Sequence, residues 1–317
     1  MVKEKSIEMK IHKKVKNKSV RKIKKSPAEK FWNCIIYLTL GLLALVFVIP
    51  FWLMLVASLA PESEIAVHGY SLFTANPSLF AYEYLFSSSK RWLNAFGLTG
   101  LLTVVGTLNS LFFTSMGAYV LSKPYLPYRK TLTIFIVIPM LFNGGLVPFY
   151  LMVQALGMVD TFWALFIPST ISIWNMIIIR NFFMSIPSSL EESAVLDGAN
   201  HFQVYLKIIL PVSKPVIATM IVYTAVGYWN EWYNALIFVT RNEKLTTLQL
   251  LLRQILTSTT VTTSSKGGVK LIGSGMMTPS ESLKMAAVMV TTIPIIIIYP
   301  FMQKYFAKGL MIGSVKG

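Results

Sequence analysis

Glu191 and Glu192 each follow a serine by three residues, Ser188 and Ser189, in a polar stretch, 188–211, between two long apolar segments. That spacing fits a capping box: the hydroxyl accepts from free N–H groups of a first helical turn, and the glutamate reaches back. The acids also suit the positive end of the helix dipole. Ala194 and Asp197 continue the short helix, and Gly198, followed by Ala199, can take positive φ and end it. His201 to Ile209 can form a second short helix. Pro211 has no N–H and restricts Leu210, so a turn is expected there before the chain re-enters lipid. These residue types make a helix-turn-helix at a membrane surface. Capping and glycine alone also fit an ordinary loop between two spans.

A second group of polar residues lies inside apolar segments. Tyr223, Gly227, Asn230, Glu231 and Asn234 have offsets that share one face of a helix. A carboxylate in a spanning segment usually faces protein or water and is functional by default. Glu231 therefore reads either as lining a pathway or as a cap bonded to a neighbouring helix near the rim. Tyr228, Trp229 and Trp232 offer planes that suit sugar rings, although such aromatics also collect at membrane interfaces. Thr99, Thr103, Thr107, Ser110 and Thr114 stripe another segment, beside Gly106 and Gly117. Small and hydroxylated residues there let helices approach closely. Asn175, near Ser172, needs a partner at membrane depth.

Hydrophobic residues make up 54% of the 317 and charged residues 13%, with mean hydropathy +0.60. This is the composition of a membrane protein. Apolar runs at about 33–59, 93–121, 131–152, 162–183, 213–239 and 283–302 are each near the ~20 residues a span needs. An all-α polytopic protein with six transmembrane helices is expected. Lys and Arg number twelve in 1–30 and three in each of 122–130, 180–214 and 303–317. The alternate segments hold two in 60–92, none in 153–161 and five in 240–282. The excess places both termini and the 188–211 stretch on the cytoplasmic side.

Several function classes drop out. Cys34 is the only cysteine, and His12, His68 and His201 are scattered, so no metal site is expected. No G-x-x-x-x-G-K-[ST] occurs, so the chain holds no ATP in a P-loop. No nucleophile and base share a useful spacing. The basic segment 1–30 reads as a tail that fixes topology and touches anionic lipid, with no motif for nucleic acid. No cofactor is expected.

Glu192-Ser193-Ala194, Gly198, Ile208 and Leu210-Pro211 also carry a resemblance. Their spacing is similar to the EAA loop of ATP-binding-cassette importer permeases: E-A-A, three residues, G, nine residues, I-x-L-P. The single departure is Ser193, where the family usually has alanine. Leu156 to Thr161, Tyr228 to Trp232 and the ending Lys308 to Gly317 resemble oligosaccharide permeases of the maltose-permease type, in particular the second permease of the pair.

The resemblance implies the type I importer permease fold in the cell membrane, with a tail at 1–30, a permease domain at 31–302 and a tail at 303–317. Glu191, Glu192, Ser193, Ala194, Asp197, Gly198, Ala199, Ile208, Leu210 and Pro211, within a loop at 186–212, would couple to ATPase subunits. Gly313, Lys316 and Gly317 would reach those subunits from the C-terminus. The loop 241–282 would meet a binding protein outside. Partners implied are a different permease, two ATPase subunits, an extracytoplasmic solute-binding protein and an oligosaccharide. Asn175, Tyr223, Tyr228, Asn230, Glu231 and Asn234 are the candidate pathway residues. Rival readings are a permease for peptide, amino acid or metal and, further off, a stand-alone channel or a membrane enzyme.

Overall fold

Helix α1, Pro27–Leu59, starts six residues before the apolar run expected from about 33. Proline at the first helical position has φ already set, and the Ser26 hydroxyl accepts from the Glu29 amide at 3.1 Å. The computed structural model describes residues 26–87, 90–142, 144–262 and 280–309. Most of the basic tail, Asn143, the centre of the 241–282 loop, and Gly313, Lys316 and Gly317 lie outside them. Residues 1–52 and 53–317 form two units. In the first, α1 is apolar on all sides and exposes Tyr37, Leu38, Leu45 and Phe47. Its last turns, with Val56, Ala57 and Ser58 buried, belong to the second.

Among its described residues, the regular elements of the second unit are all helical. Short helices α2, Glu62–His68, and α3, Phe80–Ser87, lead to α4, Lys90–Ser122. Then come α5, Arg129–Leu141, and α6, Leu146–Ala155, two 3-10 turns at Phe162–Leu165 and Ile167–Ser169, and α7, Ile173–Phe183. After α8, Ser189–Leu196, come α9, His201–Val204, a π turn at Tyr205–Ile209, and α10, Leu210–Val212. The chain continues through α11, Lys214–Trp229, α12, Tyr233–Phe238, a 3-10 turn at Glu243–Leu245, α13, Leu248–Thr262, and α14, Glu281–Gly309.

Among the described residues, three helices are long and apolar enough to cross a membrane: Pro27–Leu59, Lys90–Ser122 and Glu281–Pro300. The number rises to six if three bent pairs each count as one span. The bends are real departures from the six straight runs. The Phe162–Ser169 turns meet α7 at 49°, and His201–Val212 meets α11 at 85°. The segment expected at 213–239 also divides, because α11 stops at Trp229 and α12 restarts at Tyr233.

α4 is the centre of the packing, against α7 on one side and α11 on another. The hydroxyl stripe faces this packing: Thr99, Thr107, Ser110 and Thr114 are buried, and only Thr103 is half-exposed. The opposite face carries Leu101, Val104, Leu108 and Phe112, all exposed. Glycine permits the closest approaches. A Cβ on Gly106 would stand 2.8 Å from the ring of Tyr228 on α11, and one on Gly117 would stand 2.8 Å from the terminal methyl of Met176 on α7.

Polar ties hold the end of the unit that bears Thr99. Its hydroxyl accepts from the Leu248 amide at 2.9 Å, fixing the start of α13. The Glu62 carboxylate accepts from the Glu281 and Ser282 amides at 3.2 and 3.3 Å, capping α14. Trp229 Nε1 donates to the Thr291 carbonyl at 3.0 Å. Asp160, at φ 59°, ties the loop after α6 to the segment after α12. One of its oxygens accepts from the Thr240 and Arg241 amides at 2.7 and 2.8 Å, and the other accepts from the Thr240 hydroxyl at 2.8 Å. These bonds hold the Asp160 carboxyl down at about 2.

Two measurements test this packing. Gly106→Ala pushes a rigid ring and should lower stability by about 1–3 kcal/mol. Gly117→Ala meets only the end of a flexible methionine and should cost less. Thermal unfolding of the two variants side by side checks the order. Asp160→Asn should lower the melting temperature. Its deficit against the parent should stay level between about pH 7 and about pH 4, because a depressed carboxylate stabilises above its unfolded value. The deficit should close only as the pH falls toward about 2.

Candidate functional site

Gly198 takes φ 86°, a left-handed value that glycine adopts without strain. It closes α8 in a Schellman arrangement: the Ala199 amide donates to the Ala194 carbonyl at 2.9 Å and the Gly198 amide to the Val195 carbonyl at 3.0 Å. The capping box expected at Ser188 and Ser189 does not form. Ser188 is already helical, at φ −61° and ψ −28°, so its hydroxyl makes no cap. Instead its carbonyl accepts from the Glu191 and Glu192 amides. The capping box belongs to α9, where Asn200 Oδ1 accepts from the Gln203 amide at 2.8 Å and Gln203 Oε1 from the Asn200 amide at 3.0 Å.

The turn expected at Pro211 comes later. The helix passes through Leu210 and Pro211 and bends at Ser213. A proline inside a helix lacks a donor and crowds the carbonyl four residues back. The chain just before Pro211 widens into the π turn Tyr205–Ile209, which relieves that crowding.

The two halves of the element face opposite ways. In α8 only Ala194 is buried. Glu192, Ser193, Val195, Asp197 and Gly198 are exposed, and Leu196 is 88% exposed. In the second half Val204, Tyr205 and Ile209 are buried with Tyr119, Phe183 and Val216, while Ala199, Ile208 and Leu210 pack against that cluster half-buried. Beside α8 lies a cleft of about 760 Å3, lined by Pro124, Tyr125, Ile186, Glu192, Val195 and His201 among others.

Glu191 points into the protein. Both its carboxylate oxygens accept from the Lys123 ammonium, just past the end of α4. Burial pushes the Lys123 ammonium below its usual value, and the Glu191 hydrogen bond opposes that shift. The sequence reading counts Lys123 only among the charges that orient the chain. No periodicity could pair it with a glutamate 68 residues on.

The candidate pathway residues do not share one helix face, because α11 ends before Asn230. Tyr223 is exposed. Asn230 is exposed, and its Oδ1 accepts from Gln249 Nε2 at 3.0 Å. Tyr228 is buried over Gly106, its hydroxyl 3.4 Å from the Ser169 carbonyl. Asn234 is buried and donates to Ser169 Oγ at 3.0 Å. Asn175 is buried and donates to Thr224 Oγ1 at 3.4 Å. Glu231 is half-buried, and its Oε1 accepts from the Asn234 amide at 2.7 Å at the start of α12. It therefore caps a helix across the break.

Removing that cap should be measurable. Glu231→Ala should destabilise the protein by about 0.5–2 kcal/mol, the usual range for a lost N-cap. Glu231→Gln keeps an acceptor oxygen and should lose less than half of that. Thermal unfolding in detergent distinguishes the two, and equal losses would remove the cap from the account.

Comparison with known proteins agrees with this architecture. Residues 114–312 match the family model described as binding-protein-dependent transport system inner membrane component. The chain is 41% identical over 288 residues to the polygalacturonan/rhamnogalacturonan transport system permease protein YtcP of Bacillus subtilis, covering 91% of this chain and 99% of that one. It is 40% identical over 280 residues to protein LplC of the same organism, covering 88% and 93%. A solved bacterial ABC transporter involved in the import of the acidic polysaccharide alginate has a chain that superposes with TM-score 0.76 at 29% identity, covering 89% of this chain and 98% of that one. An all-helical fold of the type I importer permease kind, an exposed α8–Gly198–α9 element and these matches lead to one assignment: the chain belongs to the family of binding-protein-dependent transport system inner membrane components and is a membrane-embedded permease of an ABC importer.

Proposed function

We propose that this chain is the second of two different permeases in an importer of oligosaccharides and forms half of the path. ATP would be hydrolysed on a separate pair of subunits. The observation that carries the coupling part is the exposed face of α8. An element with Leu196 and Val195 bare to solvent, beside a large cleft, is shaped for a partner. Glu192, Ser193, Asp197 and Gly198 lie on or next to that face. Ala194, Ala199, Ile208, Leu210 and Pro211 would hold it in place, and Gly313, Lys316 and Gly317 would add a second contact from the C-terminus.

Support for the cargo comes from relatives. One is named for polygalacturonan and rhamnogalacturonan transport, and the superposed transporter imports alginate. Oligosaccharides bearing uronate groups are therefore the proposed class. Within this chain, Tyr223, Asn230 and Glu231 keep exposed surface for such a solute, while Asn175, Tyr228 and Asn234 would shape the path from behind. Six spans, counting each bent pair as one, with both termini in the cytoplasm, fit the excess of Lys and Arg in alternate segments. The tail 1–30, the permease domain 31–302 and the tail 303–317 follow from that topology. The stretch 241–282 would meet an extracytoplasmic binding protein, whose affinity must differ between the two states of the path to bias them.

Gly198 gives the test. Among the described residues, no atom beyond its chain neighbours lies within 4 Å of a Cβ built there, so a side chain meets no obstacle from them. Left-handed geometry still costs a non-glycine residue roughly 1–2 kcal/mol. Gly198→Asp adds a charge on the docking side as well. It should leave membrane insertion unchanged, and it should weaken ATPase association and uptake of radiolabelled trigalacturonate about tenfold or more, the effect of about 1.4 kcal/mol. Gly198→Asn, uncharged and more at ease in this conformation, should retain most of both. Full association and uptake in Gly198→Asp would remove the coupling role from this element.

A further inference from the structure

α8 is attached to the rest of the chain at few points. Ala194 is its only buried residue, and Glu191 is its only acid with an ion-pair partner among the described residues. That partner, Lys123, is 9% exposed at its side chain and Glu191 is 21% exposed. The Lys123 ammonium also lies 3.9 Å from the centroid of the Tyr119 ring. Tyr119 packs 5.3 Å from the Tyr205 ring, and Tyr205 shares a 2.7 Å hydrogen bond with Ser115. Arg180 Nε donates to the Leu121 carbonyl at 3.0 Å. The last turns of α4 and the residue after them thus grip three elements: α8 through Glu191, the π turn through Tyr205, and α7 through Arg180.

A partly buried ion pair is a weak source of net stability, because desolvation offsets much of the attraction. What it does provide is a defined geometry, here with two oxygens bound to one ammonium. Without it, α8 would be held by Ala194 and by the turns at either end. Gly198 is one of those turns, and among the described residues no side chain beyond its neighbours lies within 4 Å of a Cβ built on it.

We propose that Lys123 and Glu191 are a positioning pair that makes α8 and α4 move as one rigid body. Force applied to the exposed face of α8 then reaches the 33-residue α4 directly instead of being absorbed at the Gly198 turn. Packed helices transmit such displacements as rigid units. The proposal rests on the coupling role given to α8 above.

Cys34 is the only cysteine, so a Cys34→Ser background allows spin labels at Ser189→Cys on α8 and Leu108→Cys on the exposed face of α4. The experiment uses the complete transporter with its ATPase subunits, with and without ATP and vanadate. In the background chain the distance between labels should be narrow and unchanged by nucleotide. In Lys123→Met and in Glu191→Gln it should broaden about twofold and shift with nucleotide, on the ~1–2 Å scale of helix displacements at interfaces. The double exchange Lys123→Glu with Glu191→Lys should restore the narrow distribution. A distance that changes with ATP in the background chain overturns the proposal, as does one that stays narrow in both single variants. Loss of the assembled complex in the single variants, unrepaired by the double exchange, also overturns it, since the pair would then be an assembly anchor. Failure of the parent chain to retain ATPase subunits counts instead against the coupling role itself.

Discussion

Close approach between helix backbones is the constraint on which the rest of this structure depends. Two apolar helices in lipid gain nothing by hiding apolar surface from each other, because lipid tails are equally apolar. Association has to come from tight contact and from polar bonds. α4 meets that requirement with Gly106 beneath the Tyr228 ring, Gly117 beneath Met176 and a buried row of hydroxyls. Thr99 then spends its hydroxyl on the Leu248 amide, which sets where α13 begins. Once α7 and α11 lie against α4, the positions of Asn175 and Tyr228 follow.

A second constraint explains the polar residues within apolar segments. Backbone groups at a helix break in lipid have no water to bond, so the protein must supply partners. The break after Trp229 is served by Glu231, which accepts from the Asn234 amide. The break before α7 is served by Ser172, whose hydroxyl accepts from the Asn175 amide at 3.3 Å. At the 85° bend, the Ser213 amide donates to the Ile209 and Leu210 carbonyls. Residues that look like pathway chemistry in the sequence thus first answer a structural need. On the proposed reading, Glu231 answers both, since part of its surface remains open.

The helix pair around Gly198 divides the same way. Its second half is core, with Val204, Tyr205 and Ile209 buried against the end of α4. Its first half is surface, with Leu196 almost fully bare. On the proposed coupling reading, the element needs both a free face for a partner and a firm root. The fold supplies them on opposite sides of one glycine turn.

Much of this was legible in the residues alone. Long apolar runs require helices in lipid, and the end of α8 at Gly198 follows from the single residue type that takes φ 86° without strain. The spacing from Glu192 to Pro211 marked the family, because short-range spacing survives in sequence as a pattern. The breaks were not legible. Asn230, Glu231 and Asn234 keep helical spacing with Tyr223, yet the helix ends at Trp229, and Asn234 turns to Ser169 across the packing. The bend fell at Ser213 and not at Pro211 because a π turn absorbed the proline, a choice local propensity does not make. Glu191 fits a capping box by sequence, yet it turns inward to Lys123. Sequence determined which segments are helical and where glycine must end one of them, since those depend on neighbours along the chain. Which polar side chains face each other was decided only by tertiary structure, because such partners meet across helices whose register is set by contact between whole surfaces.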